Sequence, residues 1–249
     1  MKAKSIVIIG SGRSGTSFLS NLLHSNGVYA GNCTPGTLEN TDVRKINDSY
    51  LEKYYNGITR SKTPYGILPD DEIVVNDEYQ VKSLNFVNEM NSVVSSNLKN
   101  SWWDNNINPY WLFKDPRTTV LHDMWVKHCD VVVGVFRNPV EVVESYMKLL
   151  GVYYTDSNVD EGYATMLNYW KRFNQSLIYT FENTNKPKYL LDFNGDVNGQ
   201  VKNLFDKLNI KVGTFTYDEN KKNQNSDNMY DDGDVETIYG ELKSMRNLI

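Results

Sequence analysis

Ser5-Ile-Val-Ile-Ile-Gly-Ser-Gly-Arg-Ser-Gly-Thr-Ser17 decides the fold. A strand over Ser5–Ile9 runs directly into a glycine loop, Gly10–Gly15, and the loop opens a helix predicted over Thr16–Ser25. That order makes a phosphate cradle. Loop N–H groups and the positive end of the helix dipole converge on one anion. Glycines let the backbone approach it closely. An anion is therefore expected beside Gly12, Arg13, Ser14, Gly15, Thr16 and Ser17. A plain strand–turn–helix, with glycines for packing, is the simpler alternative.

Two further stretches repeat the pattern of a strand ending at a cation. Asp130-Val-Val-Val-Gly-Val-Phe-Arg-Asn-Pro139 is a β-branched run that predicts a buried parallel strand finishing at Arg137. Asn138 then suits an N-cap and Pro139 a first helical position. The helix runs to Leu150 and buries Val143, Tyr146, Met147 and Leu150, with Ser145 off that stripe. Trp111-Leu-Phe-Lys-Asp-Pro-Arg117 is a short strand ending at Lys114, because Pro116 cannot continue a ladder. Thr118 or Thr119 is expected to cap a helix to about Lys127. Arg13, Lys114 and Arg137 thus each follow a strand's C-terminal end, where open α/β sheets gather ligands.

The fold class predicted is α/β: three layers, a mainly parallel sheet of P-loop-NTPase-like topology, and helices on both faces. The expected order is strand 5–9, helix 16–25, a short strand 28–30 and a helix near 43–55. Then come helix 84–98, strand 110–114, strand 131–136, helix 139–150, helix 160–182, strand 188–191 and helix 197–208. Residues 1–215 form the main domain, with 31–84 a mostly irregular insertion beside the acceptor. Residues 216–234 read as a polar mobile loop and 235–249 as a C-terminal helix. That helix docks on the domain or on a second copy in a homodimer.

The loop Gly12-Arg-Ser-Gly-Thr-Ser-Phe-Leu19 resembles the phosphosulfate loop of sulfotransferases that use 3′-phosphoadenosine-5′-phosphosulfate, in the form found in bacterial or viral members. Family members often carry Pro at the position of Gly12. The resemblance implies that Arg13, Ser14, Gly15, Thr16 and Ser17 hold the donor's 5′ end and that Phe18 touches adenine. Helical spacing with Leu19, Leu22 and Leu23 equally places Phe18 in the core. Arg137 with Asn-Pro, and Ser145 eight residues on, match the family's 3′-phosphate motif. The W-x-x-K-D-P-R stretch is similar to a segment of bacterial members, which would bring Lys114 to the sulfonate or bridging oxygen. Arg117 belongs either to the site or to its own loop through Asp115.

The activity implied is transfer of a sulfuryl group from that donor to an acceptor hydroxyl, of a carbohydrate or small molecule, or to an amine. Arg13 and Lys114 would stabilise charge on the leaving oxygen, so no metal is required. The cytosolic enzymes' histidine base falls at Pro116 here. Glu39 is the candidate base, or else a partner for a site cation, and Asp115 is the reserve. A late Arg-Lys-Gly loop of the family has only Lys221-Lys-Asn223 as a poor counterpart. Aromatic residues Tyr50, Tyr54, Tyr55, Tyr65, Trp102, Trp103 and Tyr110 either stack on sugars or fill the core.

Two alternatives come from the same residues. A P-loop kinase would need a Walker lysine where Thr16 stands, and a carboxylate after a strand that Asp192 could imitate. A non-catalytic nucleotide-binding module would keep the cations without turnover.

Composition narrows the field. Net charge is −5 over 249 residues, against a general nucleic-acid binder. Three His and two Cys suggest neither a metal cluster nor a disulfide framework. No apolar run approaches the ~20 residues of a membrane span. With a strand starting near Met1, a cytoplasmic protein is expected.

Overall fold

The computed structural model describes residues 2–54, 73–100, 108–150, 159–211, 213, 217 and 232–246. Its four-stranded sheet is parallel throughout, in the order β2-β1-β3-β4. The strands are β1 (Lys4–Ile9), β2 (Tyr110–Lys114), β3 (Val131–Phe136) and β4 (Lys188–Asp192). Val28–Ala30 contributes only an isolated parallel bridge, Tyr29 to Trp111, at the outer side of β2.

Helices cover both faces because successive strand residues point to opposite sides. Ile6, Ile8, Val133 and Val135 face α1 (Thr16–Ser25) and α7 (Val197–Leu208). Val7, Ile9, Val132 and Phe136 face the larger layer. That layer holds α2 (Thr41–Tyr54), α3 (Asp77–Asn100), the short α4 (His122–Trp125), α5 (Pro139–Leu150), α6 (Val159–Asn183) and α8 (Gly233–Arg246). The chain is an α/β protein of three layers.

Three local expectations shift. The helix expected from 84 begins at Asp77, where Asn76 Oδ1 accepts from the Tyr79 N–H. Tyr79, Ser83, Val87 and Val94 are its buried stripe, so the irregular part of the insertion ends earlier than 84. The helix expected over 118–127 is broken into a 3-10 turn at Pro116–Thr119, α4, and a second 3-10 turn at Val126–His128. Its cap is Asp115, which accepts from the Arg117 N–H, because Thr118 and Thr119 are buried and used elsewhere. The turn motifs at Thr63–Gly66 and Leu68–Asp71 lie outside the described residues, as do Tyr55, Tyr65, Trp102, Trp103 and Lys221–Asn223.

α8 docks on the body of the same chain. Val235 and Leu242 are fully buried, and Tyr239 packs edge-on against Phe136 and Trp170. Asp232 caps it by accepting from the N–H groups of Asp234 and Val235, and pairs with Lys171 of α6. Leu242→Ala should cost about 2–5 kcal/mol. The expected drop in melting temperature is independent of protein concentration. A drop that deepens on dilution would instead place α8 at a contact between copies.

Candidate active site

The parallel register brings the strand ends to one edge. Ile8 pairs with Lys114 across β1 and β2, and Ile9 with Gly134 across β1 and β3. The loop 10–15 leaves β1 between these two ends and delivers Gly15 as the N-cap of α1.

Close packing fixes the loop from behind. Gly15 has φ +104, and a Cβ there would lie 2.4 Å from the Phe193 ring. A Cβ on Gly12 would lie 1.9 Å from the Tyr146 hydroxyl. The Gly12 N–H also donates to Tyr169 Oη at 3.4 Å, a bond that a proline could not make. Thr119 fastens the loop's other end. Its hydroxyl accepts from the Gly10 N–H (2.8 Å) and donates to the Gly10 carbonyl (3.0 Å). Ser14 Oγ donates to the Ser11 carbonyl at 2.6 Å. The buried Ser11 hydroxyl finds no partner among the described residues. Gly15, the N-cap, has no side chain to cap α1, and an uncapped helix start suits an anion.

Lys114 is the deepest cation. Its side chain is 1% exposed; Nζ donates to Ser17 Oγ at 3.1 Å and lies 3.6 Å from Glu39 Oε1. Burial pulls its ammonium below the ordinary lysine range, and Glu39 and Asp115 oppose that shift. Glu39 reaches Lys114 through its neighbour. The Asn40 N–H donates to the Lys114 carbonyl at 3.0 Å, and Asn40 Oδ1 caps α2 by accepting from the N–H groups of Asp42 and Val43. Asn21 of α1 holds the same excursion through the Gly36 carbonyl at 2.9 Å.

The other cations gather on the opposite side of the loop. Arg13, with φ +64, donates from Nε to Ser145 Oγ at 2.8 Å. Arg137 donates from Nη1 to the Arg13 carbonyl at 3.4 Å. Asn138 caps α5 as expected, its Oδ1 accepting from the Val140 N–H at 2.9 Å. Arg137 and Ser145 are therefore linked through Arg13, which bridges the helical rise between them.

The remaining predicted residues divide. Phe18 packs edge-on with Phe193 and Tyr217, at ring distances of 5.5 and 5.1 Å. Phe193 also lies beneath the Arg137 guanidinium. Phe18 is half-buried and packs against the core on this face of the sheet, as its helical spacing predicts. Phe193 and Tyr217 had no sequence signal beyond being aromatic. Tyr50 is core, donating to the Val74 carbonyl at 2.7 Å, and Tyr110 is buried, whereas Tyr54 is exposed. His24 turns Nδ1 to the Val28 carbonyl, away from the loop.

Arg117 is scaffold. It donates from Nε and Nη2 to the fully buried Asp115 (2.8 and 2.6 Å) and also pairs with Asp48 of α2. Asn47 adds contacts to Asp115 and Thr118, both at 3.4 Å, and accepts from Trp125 Nε1 at 2.8 Å. The two carboxylates on Arg117 respond differently. Asp115 is held below the usual range because Arg117 and Asn47 outweigh its burial. Burial outweighs Arg117 at Asp48 and raises it. Asp115, with the fuller set of donors, governs the pairing.

Asp192, the carboxylate that could imitate a Walker aspartate, ends β4, two strands from β1. It accepts from the Asn194 N–H at 2.9 Å and pairs with Arg246 at 3.6 Å. Among the described residues, no group of three or more His, Cys, Asp or Glu is placed to hold a metal ion. No described helix is long and apolar enough to cross a membrane.

No protein-family model matches the chain, and no curated protein does. Among solved structures it is similar to "Sulfotransferase Domain from the Curacin Biosynthetic Pathway". The identity is 15%, over 86% of this chain and 76% of that chain, with a TM-score of 0.44.

Asp115 makes a pH prediction. A carboxylate whose folded pKa is depressed adds stability above its unfolded value, about 4. That contribution disappears as pH falls through the folded value. Asp115→Asn should melt lower than the wild type at neutral pH, and the gap should close as pH drops below about 4. A gap that stays constant down to pH 2.5 would remove the assignment.

Proposed function

We propose that the chain is a sulfotransferase that moves a sulfuryl group from 3′-phosphoadenosine-5′-phosphosulfate to an acceptor hydroxyl or amine, with a carbohydrate or small molecule favoured as acceptor. One observation carries the reading. Residues matched to the two ends of the donor meet at one helix N-terminus. Ser17 and Lys114, matched to the 5′ end, touch each other with Glu39 beside them, and Arg13, also matched to that end, contacts both Ser145 and Arg137 of the 3′-phosphate motif.

The cradle fits a phosphosulfate. Gly12 and Gly15 let Tyr146 and Phe193 pack against the loop from behind, and the N–H groups at the start of α1 suit the anion. The edge-packed rings of Phe18, Phe193 and Tyr217 beside the loop offer aromatic contacts for adenine. Arg137 and Ser145 supply donors for the 3′-phosphate, and Arg13 touches both.

In the reaction, the acceptor oxygen or nitrogen forms a bond to sulfur as the bond from sulfur to the bridging oxygen breaks. The electron pair leaves with the 5′-phosphate of adenosine 3′,5′-bisphosphate. Arg13, Lys114 and the loop N–H groups stabilise charge on that oxygen. Glu39, 3.6 Å from the Lys114 ammonium, takes the acceptor's proton.

A kinase reading has less support. Both strands beside β1 end in cations, Lys114 and Arg137, where a carboxylate would be needed for Mg²⁺. Asp192 is on the outer strand and already paired.

Adenosine 3′,5′-bisphosphate without metal should raise the melting temperature, since a ligand that binds only the folded state stabilises it by mass action. Stabilisation by ATP with Mg²⁺ alone would favour the kinase. Arg137→Ala and Ser145→Ala should weaken the bisphosphate more than 5′-AMP; equal losses would remove the 3′-phosphate assignment.

Glu39→Gln should keep the bisphosphate affinity and lower sulfuryl transfer about 100-fold or more. Unchanged turnover would exclude Glu39 as base, and no turnover in the wild type on any acceptor would favour a binding module. Labelling of tyrosine peptides alone, in a panel with saccharides and lipids, would sink the acceptor class.

A further inference from the structure

Arg137 is held on a buried polar chain that reaches the far end of the polypeptide. Its Nε and Nη2 donate to Glu141 Oε2, at 2.7 and 2.5 Å. Glu141, 3% exposed in its side chain, uses Oε1 to accept from Asn194 Nδ2 at 2.6 Å. Asn194 Oδ1 accepts from the Asn138 N–H at 2.7 Å, which ties β4's exit to the start of α5. The Asn194 N–H donates to Asp192 Oδ1, and Asp192 Oδ2 pairs with Arg246 in the last turn of α8. Trp170 of α6 holds the backbone by donating from Nε1 to the Arg137 carbonyl at 3.1 Å.

The geometry points to Glu141, Asn194 and Arg246 as positioning residues that fix which edge of Arg137 meets the 3′-phosphate, making the C-terminal helix part of donor recognition. This rests on the donor-site reading above. A guanidinium has five N–H donors in a rigid fork. Glu141 consumes the Nε–Nη2 edge, and Phe193 covers one face, 5.6 Å from the guanidinium carbon. The Nη1 side is then directed to the loop, where it meets the Arg13 carbonyl. A phosphate seated beside Arg13 and Ser145 finds that side already oriented. Little rotamer freedom remains to be lost on binding.

Asn194 has a defined part. Without its amide, Glu141 Oε1 loses its donor inside a buried site and the carboxylate can rotate off Arg137. Arg246 acts one step further back, by balancing the Asp192 carboxylate that orients the Asn194 backbone. No contact joins Arg246 to Arg137 directly among the hydrogen bonds and ion pairs described.

Calorimetric titration of the full chain with adenosine 3′,5′-bisphosphate and with 5′-AMP tests the idea. The readout is the ratio of the two affinities. Asn194→Ala should cut the wild-type ratio about tenfold, the worth of a hydrogen bond to a charged group. Arg246→Gln should cut it roughly threefold, as a partly exposed pair allows, and Arg246→Lys should keep it. In each variant 5′-AMP should bind as it does to the wild type.

Arg246 has a side chain 33% exposed, so its variants carry the test if Asn194→Ala does not fold. An unchanged ratio in the folded variants, with the wild type preferring the bisphosphate, overturns the relay alone. Equal losses for both ligands overturn it too, since that is the mark of a merely structural role. A wild type that does not distinguish the ligands overturns the donor-site reading, and the relay with it.

Discussion

Burying Lys114 is the constraint around which the site is arranged. An ammonium at the end of the outer strand β2, 1% exposed, is tolerated only with a partner and hydrogen-bond acceptors beside it. The chain meets that demand by sending residues 31–40 out from α1 and back across the end of β2. Asn40 fastens the return to the Lys114 carbonyl and starts α2, which leaves Glu39 facing the ammonium. The return of residues 31–40 and the pairing of Glu39 with Lys114 thus rest on the same contacts. Asn47 and Asp48, a turn further along α2, reinforce it through Asp115 and Arg117.

The second cation cluster obeys the same rule by another route. Arg137 follows a buried strand and is desolvated against Phe193, so its charge needs a near carboxylate. Glu141 lies one helical turn on, and Asn138 begins that helix. Pairing through one edge leaves the other edge facing the loop. Three cations, Arg13, Lys114 and Arg137, thus stand at one edge of the sheet although the protein is net acidic, at −5, and two of them are balanced by carboxylates.

Two tyrosines and a threonine show how far the loop depends on tertiary neighbours. Tyr146 and Tyr169 close around Gly12, and Thr119 grips Gly10 from both sides. A proline at Gly12 would lack the N–H that meets Tyr169. The glycine and the tyrosine are two halves of one packing solution, and they differ from the pattern to which the loop is otherwise similar.

Much of the frame was legible in the sequence. The apolar runs ending at Ile9 and Phe136, and the cap at Asn138, are local signals, set by continuous β-branched stretches and a side-chain acceptor within three residues. The three cations after strand ends followed from those boundaries. α3's early start and the broken helix after Asp115 were missed because burial and long-range bonds, not propensity, decide them. Arg117 could not be assigned from spacing alone, since Asp48 reaches it from α2, 69 residues away. The same holds for Glu39 with Lys114, Arg13 with Ser145, and Asn194 with Glu141. The sequence by itself determined strands, loop and charge types, because those depend on neighbours within a turn. Only the tertiary structure decided which carboxylate meets which cation, because a buried charge takes its partner from whatever element the parallel sheet brings to its edge.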